Sequence, residues 1–400
     1  MADIGQLPTA ARPNPTGFGF RHVMAAWWGE RPLAQLGVFL CVGIVLGYLG
    51  SNLSGNMERV GISPGFAFFW YAANFEIGES PINYAAGDSY GRAILVGLLN
   101  TVKVAAVGCV LATILGVALG VARLSHNRLL SGLIRGYIEL VRNTPLLLQL
   151  FFWNITVHML PGPRQAFEPM PGVLLSNRGV FAPALQSSAE WIALIILALL
   201  LLIGWVARLR RLGGARLSAG VLAVALLSAV VLPLAVARAF GVSIAVDWPR
   251  LEGFNIAGGL SLSPEFAALV IGLVVNSAAG VAETVRAGIL SVPTGQWEAG
   301  QACGLSRWHV LRLIVVPQAL RVIVPVMTSN YLSLTKNSSL AVAIGFPDLV
   351  SVLNTTANTT GQALETIAIM MLVYLSLSLG VSVAMNGYNR RLAMREAGRS

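Results

Sequence analysis

Apolar residues run along this chain in long uninterrupted blocks rather than alternating with polar ones. Residues 32–57, 104–122, 217–237 and 366–389 contain no charged side chain. A helix crossing hydrocarbon needs about 20 apolar residues, so these blocks predict spanning helices. Transmembrane strands alternate in and out with period two, and no such alternation occurs here. The pattern predicts eight helices near 33–52, 92–122, 132–157, 190–208, 217–238, 264–288, 320–343 and 364–387. The seventh is interrupted by the polar run Lys336-Asn337-Ser338-Ser339.

Composition agrees with that reading. The 400 residues are 56% hydrophobic and 11% charged, with mean hydropathy +0.72, whereas soluble domains average about 25% charged residues. The fold class expected is an all-α polytopic membrane bundle. The net charge of +10 does not point to nucleic acid, because the basic residues sit at helix ends rather than on one solvated face. Cys41, Cys109 and Cys303 are far apart and make neither a metal spacing nor a disulfide framework. The first apolar run is too long for a signal-peptide core and has no small-residue cleavage site after it, so a retained first helix is expected.

Cytoplasmic segments of membrane proteins carry an excess of Lys and Arg. With the N-terminus inside, the cytoplasmic segments hold 18 arginines, among them Arg123, Arg208, Arg210, Arg211, Arg307, Arg312, Arg390 and Arg391, and the outer segments hold six. Eight spans with both termini in the cytoplasm satisfy that bias. The same count puts residues 298–317 in the cytoplasm. The outer loop 51–90 is aromatic and acidic, and reads either as an interfacial belt or as a contact surface for a soluble partner.

Residues 298–317 are polar enough to leave the membrane between two spans. Thr294 is expected to cap a short helix from Gly295 to Cys303, and Gly304 to end it in a left-handed conformation. Ser306 is expected to cap a second helix, Arg307 to Val316, stopped at Pro317, with Trp308, Leu311 and Ile314 on one stripe. Ala299 and Gly300 leave the first helix slim enough for another protein's backbone to come close.

These residues resemble the E-A-A-x-x-x-G-x9-I-x-L-P motif of membrane subunits of binding-protein-dependent ABC importers. The matching positions are Glu298-Ala299-Gly300, Gly304 and Ile314-Val315-Val316-Pro317, with Gly300 and Val316 departing from the pattern without changing its spacing. Gly97-Leu98-Leu99-Asn100-Thr101, Glu139-Leu140-Val141-Arg142-Asn143-Thr144-Pro145-Leu146, Gly295-Gln296 and Leu334-Thr335-Lys336-Asn337-Ser338-Ser339-Leu340 are similar to the polar-amino-acid branch of that family. The extra first helix, the aromatic outer loop and the long insert together look like its general L-amino-acid permeases. The resemblance covers about 90–157 and 262–392 and implies a type I permease core of five helices plus about three extra spans, eight in total. The division that follows is a cytoplasmic segment 1–32, an extra helix 33–52, a periplasmic loop 53–91, a permease domain 92–388 and a basic tail 389–400. Within the permease domain, 158–261 is an insert with two extra spans and 290–317 is a cytoplasmic coupling hairpin.

The resemblance also implies partners: a pair of nucleotide-binding ATPase subunits, a second permease subunit that is related but not identical, and a periplasmic amino-acid-binding protein. It implies location in the bacterial inner membrane, and ATPase-coupling roles for Glu298, Ala299, Gly300, Gly304, Ile314 and Pro317. Neither Lys103 nor Lys336 stands in a G-x-x-x-x-G-K-[ST] loop, so ATP and Mg2+ are expected on the partner and no cofactor on this chain. No H-E-x-x-H occurs, and Gly61 to Gly65 lacks the strand-to-helix setting of a nucleophile elbow. The chain is therefore expected to be a transporter subunit and not an enzyme.

Charges inside a membrane are costly and usually functional. Glu139 with Arg142, and Glu283 with Arg286, are spaced three apart; each reads as a helix-surface ion pair or as one partner lining a substrate path. Lys336, Asn337 and Ser338, in the broken seventh helix, are candidates to face a substrate carboxylate, alongside Glu283 and Arg142. An ion- or proton-coupled secondary transporter for amino acids is the alternative function, and a non-transporting scaffold a third. Acids lying near span ends, each with an arginine three residues on, argue against the alternative.

Overall fold

The structure, a computed structural model, describes residues 32–61, 65–186 and 245–397. The spans expected at 190–208 and 217–238 lie outside the described residues. The chain divides into two units, Met1–Phe66 and Ala67–Ser400. In the first, α1 (Pro32–Val60) is one apolar helix with Arg59 in its last turn.

The second unit is helical at its centre. Its elements are α2 (Tyr90–Ala122), α3 (Arg128–Asn143), α4 (Leu146–His158), α5 (Pro264–Leu290), α6 (Thr294–Ala302), α7 (Arg307–Val310), α8 (Val316–Asn337), α9 (Leu349–Thr360) and α10 (Ala363–Ala397). Among the described residues five helical stretches are long and apolar enough to cross a membrane: Leu33–Asn56, Tyr90–Ala122, Pro264–Leu290, Arg307–Ile344 and Ala363–Asn389.

The third expected span is not one helix. It breaks between α3 and α4 at Thr144-Pro145, because proline lacks the N–H of a continuing helix and pushes the preceding residue out of the α region. Thr144 accordingly sits at φ −103°, ψ 129°. Buried Gln149 satisfies two freed carbonyls, its Nε2 donating to Val141 O (2.9 Å) and Thr144 O (3.0 Å).

At the centre of the bundle lies α5, against which α2, α4, α8 and α3 all pack. Small residues permit the closest approach. A Cβ on Gly116 would lie 2.5 Å from Val281 Cβ and 2.9 Å from Ala278 O, and one on Gly120 would lie 2.8 Å from Ala282 O. This is the small-xxx-small solution to membrane packing, where dispersion between close backbones replaces a hydrophobic driving force.

The all-α expectation needs one amendment. The described residues between α4 and α5 carry eight short strands: an antiparallel sheet ordered β1 (Phe167–Met170), β2 (Val173–Ser176), β3 (Gly179–Ala182) and β8 (Leu260–Leu262), plus the pairs β4 (Ala184–Gln186) with β5 (Ala245–Asp247) and β6 (Arg250–Glu252) with β7 (Asn255–Ala257). At three to four residues each, they are too short to leave an alternating signature.

The loop expected to face outward packs partly into the bundle. Phe68 is fully buried and joins Tyr90, Leu349 and Leu353 in one apolar cluster, with Phe75 and Tyr84 packed against it, while Trp70 and Tyr71 remain exposed. Glu79 ties the loop down: it pairs with Lys103 Nζ at 2.5 Å and accepts from Ser263 Oγ, the hydroxyl that caps α5. Asn100 Nδ2 donates to Glu79 O (2.8 Å) and Pro347 O (2.9 Å).

Candidate functional site

Two sites emerge, a hairpin and a cavity. The hairpin is α6, a turn and α7. Gly304 has φ +78° and, as expected, takes the left-handed position that glycine alone occupies without steric cost. Its N–H donates to Gln301 O (2.9 Å) and that of Leu305 to Gly300 O (3.2 Å), the Schellman closure of a helix end. Ser306 caps α7, its Oγ accepting from His309 N.

Three details of the hairpin depart from expectation. Thr294 lies inside α6 and makes no cap; Pro293 holds that position. Pro317 does not stop the second helix. A π turn, Leu311–Val315, widens the backbone just ahead of it, and the helix runs on into α8 with Pro317 in its first turn, where its missing N–H and ring are tolerated. Trp308 is 63% exposed and so leaves the buried stripe, where Val310 and Val315 are instead fully buried with Leu311 and Ile314 beside them.

Gly300 also has a different role from the one expected. It is buried, and a Cβ there would lie 2.9 Å from both Ile314 Cδ1 and Val310 Cγ2. The glycine lets the hairpin's own two arms touch, so the slim face serves internal packing. Glu298 and Ala299 are exposed on the outside, and Glu298 forms no ion pair or side-chain hydrogen bond among the described residues.

The second site is a cavity of about 410 Å3 between α3, α5 and α8, within the range of about 300–1,000 Å3 usual for small-molecule sites. Arg142 lines it from the end of α3. From α5 come Asn276, Ser277, Gly280, Glu283 and Thr284, and from α8 Asn330, Ser333 and Asn337. Asn330 Nδ2 donates to Thr284 Oγ1 at 3.2 Å, which ties α8 to α5 across the cavity.

Glu283 is fully engaged. Arg286 Nη2 lies 2.8 Å from its Oε1, and Arg123, just beyond α2, pairs with its Oε2. The expected Glu139–Arg142 pair does not form: Glu139 is held by Arg135 Nε at 2.8 Å, one helical turn the other way. Arg142 is exposed and has no ion pair or side-chain hydrogen bond among the described residues.

The cavity thus brings together Arg142, Glu283 and Asn337 from the candidates named in the sequence. It does not include the other two. Ser338 is buried, its Oγ donating to Thr335 O (2.8 Å). Lys336 opens instead into a separate depression with Ser339, Tyr374 and Ser378. Asn276, Ser277, Thr284, Asn330 and Ser333 were missed, although their spacing was a signal. Positions 276, 280, 283 and 284 share one face of a helix, as do 330, 333 and 337, in spans otherwise apolar. Among the described residues no group of three or more His, Cys, Asp or Glu could hold a metal ion.

Helices long and apolar enough to span a membrane, a capped hairpin between two of them and a polar cavity walled by three helices point to a membrane-transport subunit. Residues 221–394 match the family described as binding-protein-dependent transport system inner membrane component. The general L-amino acid transport system permease protein AapQ of Rhizobium johnstonii is 41% identical over 389 residues, covering 95% of this chain and 96% of its own. The glutamate/glutamine/aspartate/asparagine transport system permease protein BztB of Rhodobacter capsulatus is 36% identical over 425 residues, covering 98% and 100%. YhdX of Escherichia coli strain K12 is 46% identical over 370 residues, covering 90% and 93%. The chain belongs to the amino-acid permeases of the ABC importers. It is a multi-pass inner-membrane permease subunit of an ATP-driven amino-acid importer, and not a secondary transporter.

Proposed function

We propose that the hairpin from Thr294 to Val315 grips a separate ATPase subunit and that amino acids pass through the cavity lined by Arg142, Asn276, Glu283 and Asn330. The observation that carries this is the helix they share. The apolar core beneath the hairpin, with Val310 and Val315, continues through Ala319, Ile323 and Met327 against α5. Force applied outside the bundle therefore reaches the helix that presents Asn330 and Asn337. Exposed Glu298 and Ala299 form the gripping face, while Gly300, Gly304 and Ile314 hold the shape behind it. Pro317 sits where the arm joins the span.

ATP and Mg2+ belong to the partner, which acts as a pair; a second, related permease subunit supplies the other hairpin, and a periplasmic binding protein delivers the substrate. Eight spans with both termini in the cytoplasm complete the reading. Its support is the β4–β5 ladder, in which Gln186 lies opposite Ala245. Chain leaving at 186 re-enters beside its exit, which favours an even number of crossings between them.

Co-expression with the ATPase subunit, followed by uptake and hydrolysis assays in liposomes, tests the assignment. Glu298→Lys is expected to abolish co-purification and binding-protein-stimulated hydrolysis while the permease still folds. Full coupled uptake in that variant would remove the hairpin from the drive.

A further inference from the structure

The charges around the cavity do not balance, and the imbalance has a sign. Among the described residues Glu283 is the only acidic side chain lining it, and two guanidiniums, those of Arg123 and Arg286, already pair with its two oxygens. Arg142 lines the same cavity without a carboxylate partner among the described residues, because Arg135 has taken Glu139. The other lining side chains carry amides and hydroxyls, or are glycine. Three arginines against one glutamate leave an excess of positive charge, with no free carboxylate to receive a second ammonium. A guanidinium at a cavity wall with no counter-ion favours a ligand that supplies a carboxylate, and like charges brought together across a recognition surface are strongly penalised.

We infer that this cavity selects amino acids by charge: it takes neutral and acidic ones and turns away lysine-like and arginine-like ones, with Arg142 as the specificity-determining residue. The inference rests on the cavity being the substrate path. Arg142 holds a carboxylate through its planar fork of donors, for which Arg–carboxylate geometry is well suited. The α-ammonium is met by amide and hydroxyl oxygens such as those of Asn276, Ser277 and Asn330. A neutral amino acid presents its α-carboxylate alone; an acidic one adds a second negative charge to a positive cavity and is held more firmly. A cationic side chain finds no carboxylate among the described lining residues that is not already paired.

The test is direct binding of radiolabelled L-glutamate, L-glutamine and L-lysine to the purified permease–ATPase complex in nanodiscs, without the binding protein. The wild type is expected to bind glutamate and glutamine at least about tenfold more tightly than lysine, the scale of one charge interaction at a recognition site. Arg142→Gln is expected to erase the advantage of glutamate over glutamine, and Arg142→Lys, which keeps the charge, to retain most of it. Equal binding of lysine and glutamate by the wild type, or an unchanged preference in Arg142→Gln, overturns the inference while leaving the path intact. Loss of all ligands together with thermal stability in both variants also overturns it, by making Arg142 a structural residue. If the wild type binds the amino acids but Asn276→Leu and Asn330→Leu, which fill the cavity, leave that binding unchanged, the path reading itself is wrong and the inference falls with it.

Discussion

Gly116→Ala adds one methyl group at the tightest point of the α2–α5 crossing. The new carbon would lie 2.5 Å from Val281 Cβ, 2.6 Å from Val281 Cγ1 and 2.9 Å from the Ala278 carbonyl oxygen. Carbon atoms rest at about 3.5–4.0 Å, so the two backbones must part by roughly 1 Å at this point. No side-chain rotation relieves the contact, because the nearest atom is a Cβ fixed to the helix and another is backbone. Overpacking of this kind costs about 1–3 kcal/mol. The displacement also reaches the cavity, since Asn276, Ser277, Gly280, Glu283 and Thr284 all ride on α5. The variant is expected to unfold at lower denaturant concentration in detergent and to show reduced coupled uptake with binding-protein affinity unchanged. A matched control is Gly132→Ala on α3, where the added Cβ meets nothing within 4 Å. Alanine there gains helix propensity worth about 1 kcal/mol, so the same chemical change should carry the opposite sign. Replacing Val281 with glycine in the Gly116→Ala background should restore part of the loss, because the carbonyl contact persists. Wild-type stability and uptake in Gly116→Ala would refute the reasoning that backbone proximity at this crossing holds the bundle.

Two further predictions concern polar contacts. Glu283→Gln leaves Arg123 and Arg286 facing each other without their shared carboxylate; with side-chain exposures of 15% for Arg123 and 31% for Arg286, the loss is expected at about 2–3 kcal/mol, and a double-mutant cycle with Arg123→Gln should show strong non-additivity, simple additivity counting against the triad. Asn100→Leu removes the donor shared by the carbonyls of Glu79 and Pro347, for an expected loss of about 1–3 kcal/mol; hydrogen exchange should rise in residues 67–89, and unchanged protection there would show that the outer loop is held by other means.

Apolar blocks made most of the bundle legible in advance, because a spanning helix is defined by length and composition. The Gly304 turn and the Ser306 cap were legible for a similar reason: each is a local rule with a local cause. Where two local rules competed, the sequence left the outcome open. Pro145 should have broken the third span, but the apolar residues after it mask the break in any average over a span's length. Glu139 has Arg135 four residues before it and Arg142 three after it, and only the tertiary setting chooses between them. The polar face of α5 was visible as spacing, yet it becomes a cavity only because α8 brings Asn330, Ser333 and Asn337 opposite. The two proline positions diverge in an instructive way, since Pro317 looked like a stop and instead follows a widened turn that lets the helix continue. The short strands had no sequence signal strong enough to register.

The pairing of β4 with β5 has a consequence for how such a chain can grow. Gln186 and Ala245 face each other across one antiparallel ladder, so the ladder holds together two points far apart in the sequence. The cost of closing a loop grows only slowly with its length, so a ladder of this kind tolerates changes in the length of chain between its strands.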